Sequence, residues 1–140
     1  IEVSPYRLWV PIGHHLAGQD IISLSDIAAE PLIMLTIDEI EENTGKLMMA
    51  LGAKPHVAFR TRSVEAVRSL VATGAGVALL PDLVYRPWSL EGDRIESRDV
   101  SGALPVVQVG MVWRRGSGLM QTARDFIGIA QGQRQLRQRP

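Results

Sequence analysis

Two hydrophobic periods alternate along the chain. Residues 6–12, Tyr-Arg-Leu-Trp-Val-Pro-Ile, read as a strand bounded by Pro5 and Gly13. Ser23 then precedes Leu24, Ile27 and Ala28 at helical spacing, with Asp26 three residues on. That is the pattern of a capping box, and Pro31 stops the helix. Leu32 to Leu35 are continuously apolar, as in a strand covered on both faces. Ile40, Thr44, Leu47, Met48 and Leu51 return to a 3.6-residue spacing, with Gly52 as a left-handed cap. Asp38, Glu39, Glu41 and Glu42 put negative charge in that helix's first turns, where its dipole favours it. Val57 and Phe59 predict a third strand. Ser63 opens a third helix with Val64, Val67, Leu70 and Val71 inward and Gly74 at its end. Val77 to Leu80 form a fourth buried strand stopped by Pro81. Strand and helix alternate throughout, so an α/β fold is expected, a mainly parallel sheet flanked by helices with right-handed crossovers.

The pattern then loosens. Asp82 is placed to cap a short helical turn through Tyr85, residues 86–93 read as loop, and 94–100 as an edge strand. Trp88 is expected to cover a sheet edge. A polar break at 101–105 leads into 106–113, a long apolar strand, and Gly116-Ser117-Gly118 turns the chain into a last helix. Its apolar residues Leu119, Met120, Ala123, Phe126, Ile127 and Ala130 keep helical spacing. From Gly132 the chain carries Arg134, Arg137 and Arg139 with no acid, and is expected to fray.

Composition narrows the function. The chain has 140 residues, 46% hydrophobic and 21% charged, the profile of a folded single domain. Fifteen Lys and Arg balance 15 Asp and Glu, so it lacks the positive field with which proteins grip nucleic acid. It has no cysteine, which excludes disulfides, thiol catalysis and zinc–cysteine sites. No apolar run is long enough to span a membrane. The chain starts without Met and is expected to be a piece of something longer.

Catalytic motifs fail on inspection. Thr44-Gly45-Lys46 lacks the upstream Gly of a phosphate loop, where Ile40 stands, and it falls inside a helix. Gly74-Ala75-Gly76 follows a helix and has Leu79 where a dinucleotide fingerprint needs Gly, so it reads as a helix stop. His14 and His15 are adjacent and on a regular element would diverge, and His56 has no His or acid at ligand spacing. No catalytic residue, metal site or cofactor is expected. What remains is a set of polar residues at the carboxyl ends of buried strands, where open α/β sheets bind ligands. Thr36 follows the run 32–35, and Thr61, Arg62 and Ser63 join the third strand to the third helix. Hydroxyls and helix amides there suit a carboxylate or similar anion. Ser63 as a simple N-cap, stabilising by about 1 kcal/mol, is the competing reading.

The chain also resembles a known family. His14-His15-Leu16-Ala17 followed by Ile22-Ser23-Leu24-Ser25-Asp26-Ile27 resembles the "HPLA … sLaDLa" segment of LysR-type transcriptional regulators. Ser63-Val64-Glu65-Ala66-Val67 and 71–81 resemble that family's "s … vaaGlGialLP". Order and spacing agree over residues 5–130; His15 stands where the family usually has Pro, and Ala75 where it often has Leu or Met.

The resemblance implies a type II periplasmic-binding-protein-like fold in which two α/β subdomains close on a small molecule. Residues 1–131 would be a partial effector-binding domain: 13–105 the whole second subdomain, 6–12 and 106–113 the crossover strands, and 117–131 the helix returning to a first subdomain that is mostly missing. Residues 132–140 would be a flexible tail. It implies effector contacts at Leu35, Thr36 and Ile37, with Arg62, Ser63 and Val64 beside them. It further implies a bacterial, cytoplasmic, non-enzymatic homodimer or homotetramer sensing a small-molecule effector, such as a small organic anion. DNA would be bound only through an absent N-terminal winged helix-turn-helix. The alternative is a lobe of a solute-binding transport protein of the same fold. An enzyme of a related binding-protein fold is a third reading, without a catalytic constellation to support it.

Overall fold

A computed structural model describes residues 2–37, 42–43, 45–46, 49 and 55–137. The helix expected between Ile40 and Leu51 lies mostly outside these; Glu42, Asn43, Gly45, Lys46 and Met49 are helical. The chain divides into two compact units, Pro5–Val106 and a smaller one of Ile1–Ser4 with Val107–Pro140. Among the described residues no helix is long and apolar enough to cross a membrane.

The described elements are β1 (Glu2–Pro11), α1 (Leu24–Ala28), β2 (Leu32–Leu35), β3 (Val57–Thr61), α2 (Val64–Ala72), β4 (Ala78–Pro81), β5 (Ile95–Arg98), β6 (Val106–Val109) and α3 (Gln121–Arg137). Short 3-10 turns lie at His15–Gly18 and Asp82–Val84. Pro81 is accordingly the last residue of β4 rather than the residue that follows it. Asp82 makes no capping hydrogen bond and sits inside its turn.

The capping box forms as read. Ser23 Oγ accepts from Asp26 N–H at 3.2 Å and Asp26 Oδ2 accepts from Ser23 N–H at 2.8 Å. Leu32, Ile33, Met34 and Leu35 are all buried, which accounts for their continuous apolar run. Ile33 and Leu35 face a core cluster with Trp9, Val67, Val71, Leu80 and Ile95, while Leu32 and Met34 fill the opposite side. Arg68, 2% exposed, is the charge within this packing. It pairs with the Glu65 carboxylate, donates to Val84 O at 2.8 Å and lies 5.5 Å over the Trp9 ring. A buried charge needs such partners to offset its lost hydration.

The sheets are mixed, which corrects the expectation of a mainly parallel sheet. β2 and β3 are parallel, but β1 runs antiparallel to both β4 and β5, and β6 also pairs with β1. The alternation of strand and helix along the sequence fixes the type of each element and not its direction, and the connection 12–31 is long enough to allow either. β2 runs parallel to the chain entering β4 at the Leu32–Val77 bridge, and β4 is antiparallel to β1, so β2 points opposite to β1.

β2 meets β4 through one parallel bridge, Leu32 to Val77. Ile33 N–H donates to Val77 O and Val77 N–H to Pro31 O, each at 2.9 Å. Gly74, at φ +81°, closes α2: its N–H bonds Val71 O and the next amide, Ala75, bonds Leu70 O, both at 3.0 Å. Gly76 has a different task. A Cβ there would lie 2.6 Å from Pro31 O and 3.1 Å from Ile33 Cδ1.

In the smaller unit β6 stops at Val109, four residues short of the expected end, and 110–120 are irregular. Apolar composition alone does not extend a strand without a hydrogen-bonding neighbour. Helix α3 begins at Gln121 and continues through Arg137, past the point where fraying was expected. Met111, Val112 and Trp113 with Leu119, Ala123, Phe126 and Ile127 line a groove of about 550 Å³ within this unit. Trp88 lies at the sheet edge as expected, its segment paired with the start of β5 through Ile95 N–H to Pro87 O at 2.9 Å and the bridge to Arg94. Trp88 itself stays 56% exposed, with the Arg94 guanidinium 5.7 Å over its ring.

Two consequences are measurable. Gly76→Ala is expected to lower stability by about 1–3 kcal/mol in urea denaturation, because a backbone carbonyl must shift to admit the methyl group. Hydrogen bonds from Ser23 hold the Asp26 carboxyl below its ordinary pKa. Its contribution is thus complete above the ordinary carboxylate range and fades as pH falls through the lowered value. In acid titrations followed by denaturation, Asp26→Asn should flatten this part of the stability profile.

Candidate functional site

The carboxyl ends of β2 and β3 and the start of α2 meet at Thr61. Thr36 N–H donates to Thr61 O at 2.8 Å, and Thr36 Oγ1 donates to the same oxygen at 3.2 Å. From the other side Ser63 N–H donates to Thr61 Oγ1 at 3.2 Å. Thr36 and Ser63 therefore share one end of the sheet, tied by one residue that sequence reasoning placed at the strand end but did not name as a contact. The hydroxyl of Thr61, between two other hydroxyl residues at a strand–helix junction, was the available signal.

The bonding pattern sets what each hydroxyl can offer. Ser63 is the N-cap of α2, its Oγ accepting from Ala66 N–H at 3.2 Å. The capping reading is thus correct, and it leaves the Ser63 hydroxyl hydrogen without an acceptor among the described residues. Thr36 is the complement: its hydrogen is committed to Thr61, leaving lone pairs to accept. The first amides of α2 add the positive end of its dipole. Arg62 is exposed beside them. One donor, one acceptor and a positive surround suit a ligand with both a carboxylate and a hydroxyl or amine.

The remaining expected residues divide. Leu35 is 2% exposed and packs in the core cluster, so only its backbone faces such a role. Val64 is partly buried and packs against the same cluster. Ile37 is 37% exposed next to Thr36. Arg7 was not foreseen. It pairs in β1 with Leu80 of β4, near that strand's carboxyl end, and its guanidinium lies 3.8 Å from Asp82 and 3.3 Å from Asp99.

A second polar cluster lies elsewhere. His14 caps the 3-10 turn, its Nδ1 accepting from Leu16 N–H at 3.2 Å. Its backbone is extended, at φ −63° and ψ 141°, so the change into the turn stacks its ring on His15 with centroids 4.3 Å apart. The expected divergence of the two imidazoles holds only on a regular element. Both face Glu30, His14 Nε2 at 3.6 Å and His15 Nε2 at 2.6 Å from its oxygens. Burial lowers the His14 pKa, against the raising influence of Glu30.

An α/β unit with mixed sheets and polar groups at its strand ends is the architecture of a ligand-binding lobe. The chain belongs to the LysR substrate binding domain family, whose model matches residues 3–135. Its fold is the type II periplasmic-binding-like α/β fold. It is 30% identical over 123 residues to the DNA-binding transcriptional dual regulator OxyR of Escherichia coli, covering 83% of this chain and 38% of that protein. Among solved structures it matches HinK, a LysR family transcriptional regulator from Pseudomonas aeruginosa, at TM-score 0.81 and 28% identity over 94% of this chain and 46% of that one. The C-terminal domain of a probable LysR family regulator from Rhodococcus sp. RHA1 matches at TM-score 0.75 and 26% identity, over 91% and 63%. The chain thus spans under two-fifths of the curated relative's length. These relatives are transcriptional regulators, which favours the regulatory reading over a transport-protein lobe.

The N-cap separates from any ligand role by substitution. Ser63→Ala is expected to lose about 1 kcal/mol of stability in urea, whereas Ser63→Asp retains a capping oxygen and most of that stability.

Proposed function

We propose that this chain senses a small organic anion at the carboxyl ends of β2 and β3, contacted by Thr36 and Ser63 with Ile37, Arg62 and Val64 alongside. The observation that carries the reading is the pair of complementary hydroxyls on Thr36 and Ser63, two residues that Thr61 ties together through the Thr36 hydroxyl and the Ser63 N–H. The ligand biases the populations of domain arrangements in a longer regulator and so its DNA binding, which resides in an N-terminal winged helix-turn-helix. The net charge of zero in these residues fits that division of labour. The regulator works in the cytoplasm as a homodimer or homotetramer and catalyses no reaction. Exposed Phe126 and Ile129 of α3, with Met120 just before it, fit a helix covered by domain residues outside this chain. Curated relatives include hydrogen peroxide-inducible genes activators. These 140 residues contain no cysteine, so ligand binding is better supported here than thiol oxidation.

The test uses the intact regulator, with a metabolite panel screened by thermal shift and hits titrated by calorimetry. Thr36→Val should weaken binding of the hit about tenfold, the worth of one hydrogen bond. Ser63→Asp should weaken it further through charge repulsion while the protein stays folded. Unchanged affinity in both variants would remove the site from these residues.

A further inference from the structure

The cluster at the start of the larger unit has the chemistry of a cation site. We propose that His14, His15 and Glu30 bind a divalent transition metal ion of the zinc class. Two imidazoles with one carboxylate form a borderline nitrogen–oxygen donor set that suits such ions and leaves a fourth position for water. The nitrogen and oxygen donors lie within 4.8 Å of one another. Ligand atoms around a tetrahedral zinc, with bonds of about 2.0–2.1 Å, stand about 3.3 Å apart. The separations of 3.6 and 2.6 Å between the imidazole nitrogens and the Glu30 oxygens bracket that value, so small side-chain rotations admit the ion.

Two of the ligands are already held in place. His14 N–H bonds Pro11 O at 3.2 Å and Ala17 N–H bonds His14 O at 3.0 Å; Glu30 N–H bonds Ile27 O at 3.0 Å. The His14 and Glu30 side chains are each only 15% exposed, while His15, at 66%, leaves an open path for the ion. Holding ligands on fixed backbone lowers the ordering an ion must impose. Binding through His14 Nε2 moves that ring's hydrogen to Nδ1 and ends its hydrogen bond with Leu16 N–H. The ion therefore competes with the cap on the 3-10 turn.

The experiment is calorimetric titration of zinc into the intact protein without a histidine tag. One zinc per chain is expected. His15→Ala and Glu30→Gln should each weaken it at least about tenfold, since even groups that only support a ligand are worth that much. His14→Asn should weaken it equally while retaining a side-chain acceptor for Leu16 N–H, so that fold and cap persist by circular dichroism. Absence of zinc binding, or equal affinity in all the variants, would overturn the proposal.

Discussion

The larger unit depends on the close approach of two backbones where Gly76 passes Pro31. Among the described residues, β2 with β3 and the sheet around β1 are joined by the single bridge between Leu32 and Val77. Its two hydrogen bonds form because residue 76 has no Cβ to hold the strands apart. Everything placed on β2 inherits its position from that contact. Ile33 and Leu35 are set into the core against α2, and Thr36 is delivered to the strand's end.

At that end, stability and recognition use the same few atoms. Thr61 accepts from both neighbours, fixing the distance between the strand β2 terminus and the first turn of α2. The helix cap consumes the accepting side of the Ser63 hydroxyl and leaves its hydrogen. The strand contact consumes the hydrogen of the Thr36 hydroxyl and leaves its lone pairs. Two residues alike in sequence are thereby made unlike in what they present. Arg68 shows the reverse arrangement, a charged group whose partners are all internal and which ties α2 to the turn after β4.

Much of this was legible in the residues. The capping box, the apolar run 32–35 and the helix opened by Ser63 formed within a residue or two of their expected bounds, because caps and hydrophobic periods act locally. Strand direction was not, since it is set by which strands pair, and β1 pairs with β4 and β5, both far from it in sequence. The extent of β6 was overread because apolar residues without a pairing neighbour look like a strand. In the site, Thr36 and Ser63 could be placed by their position after strands, but the exchange of roles through Thr61 required the geometry. Leu35 shares the strand end yet faces inward, a matter of alternation. The nearness of Glu30 to His14 and His15 has no local signature, as the three come together across a turn, a helix and a second turn.

The burial of Trp9 gives this molecule an optical asymmetry. Trp9 is fully enclosed, edge-on to Tyr85 at 5.9 Å and beneath a guanidinium, whereas Trp88 and Trp113 are 56% and 50% exposed. Aqueous iodide is therefore expected to quench the two outer indoles and leave the inner one emitting. Fluorescence surviving the quencher would then come from the heart of the larger unit and report whether that packing is intact without any label being added.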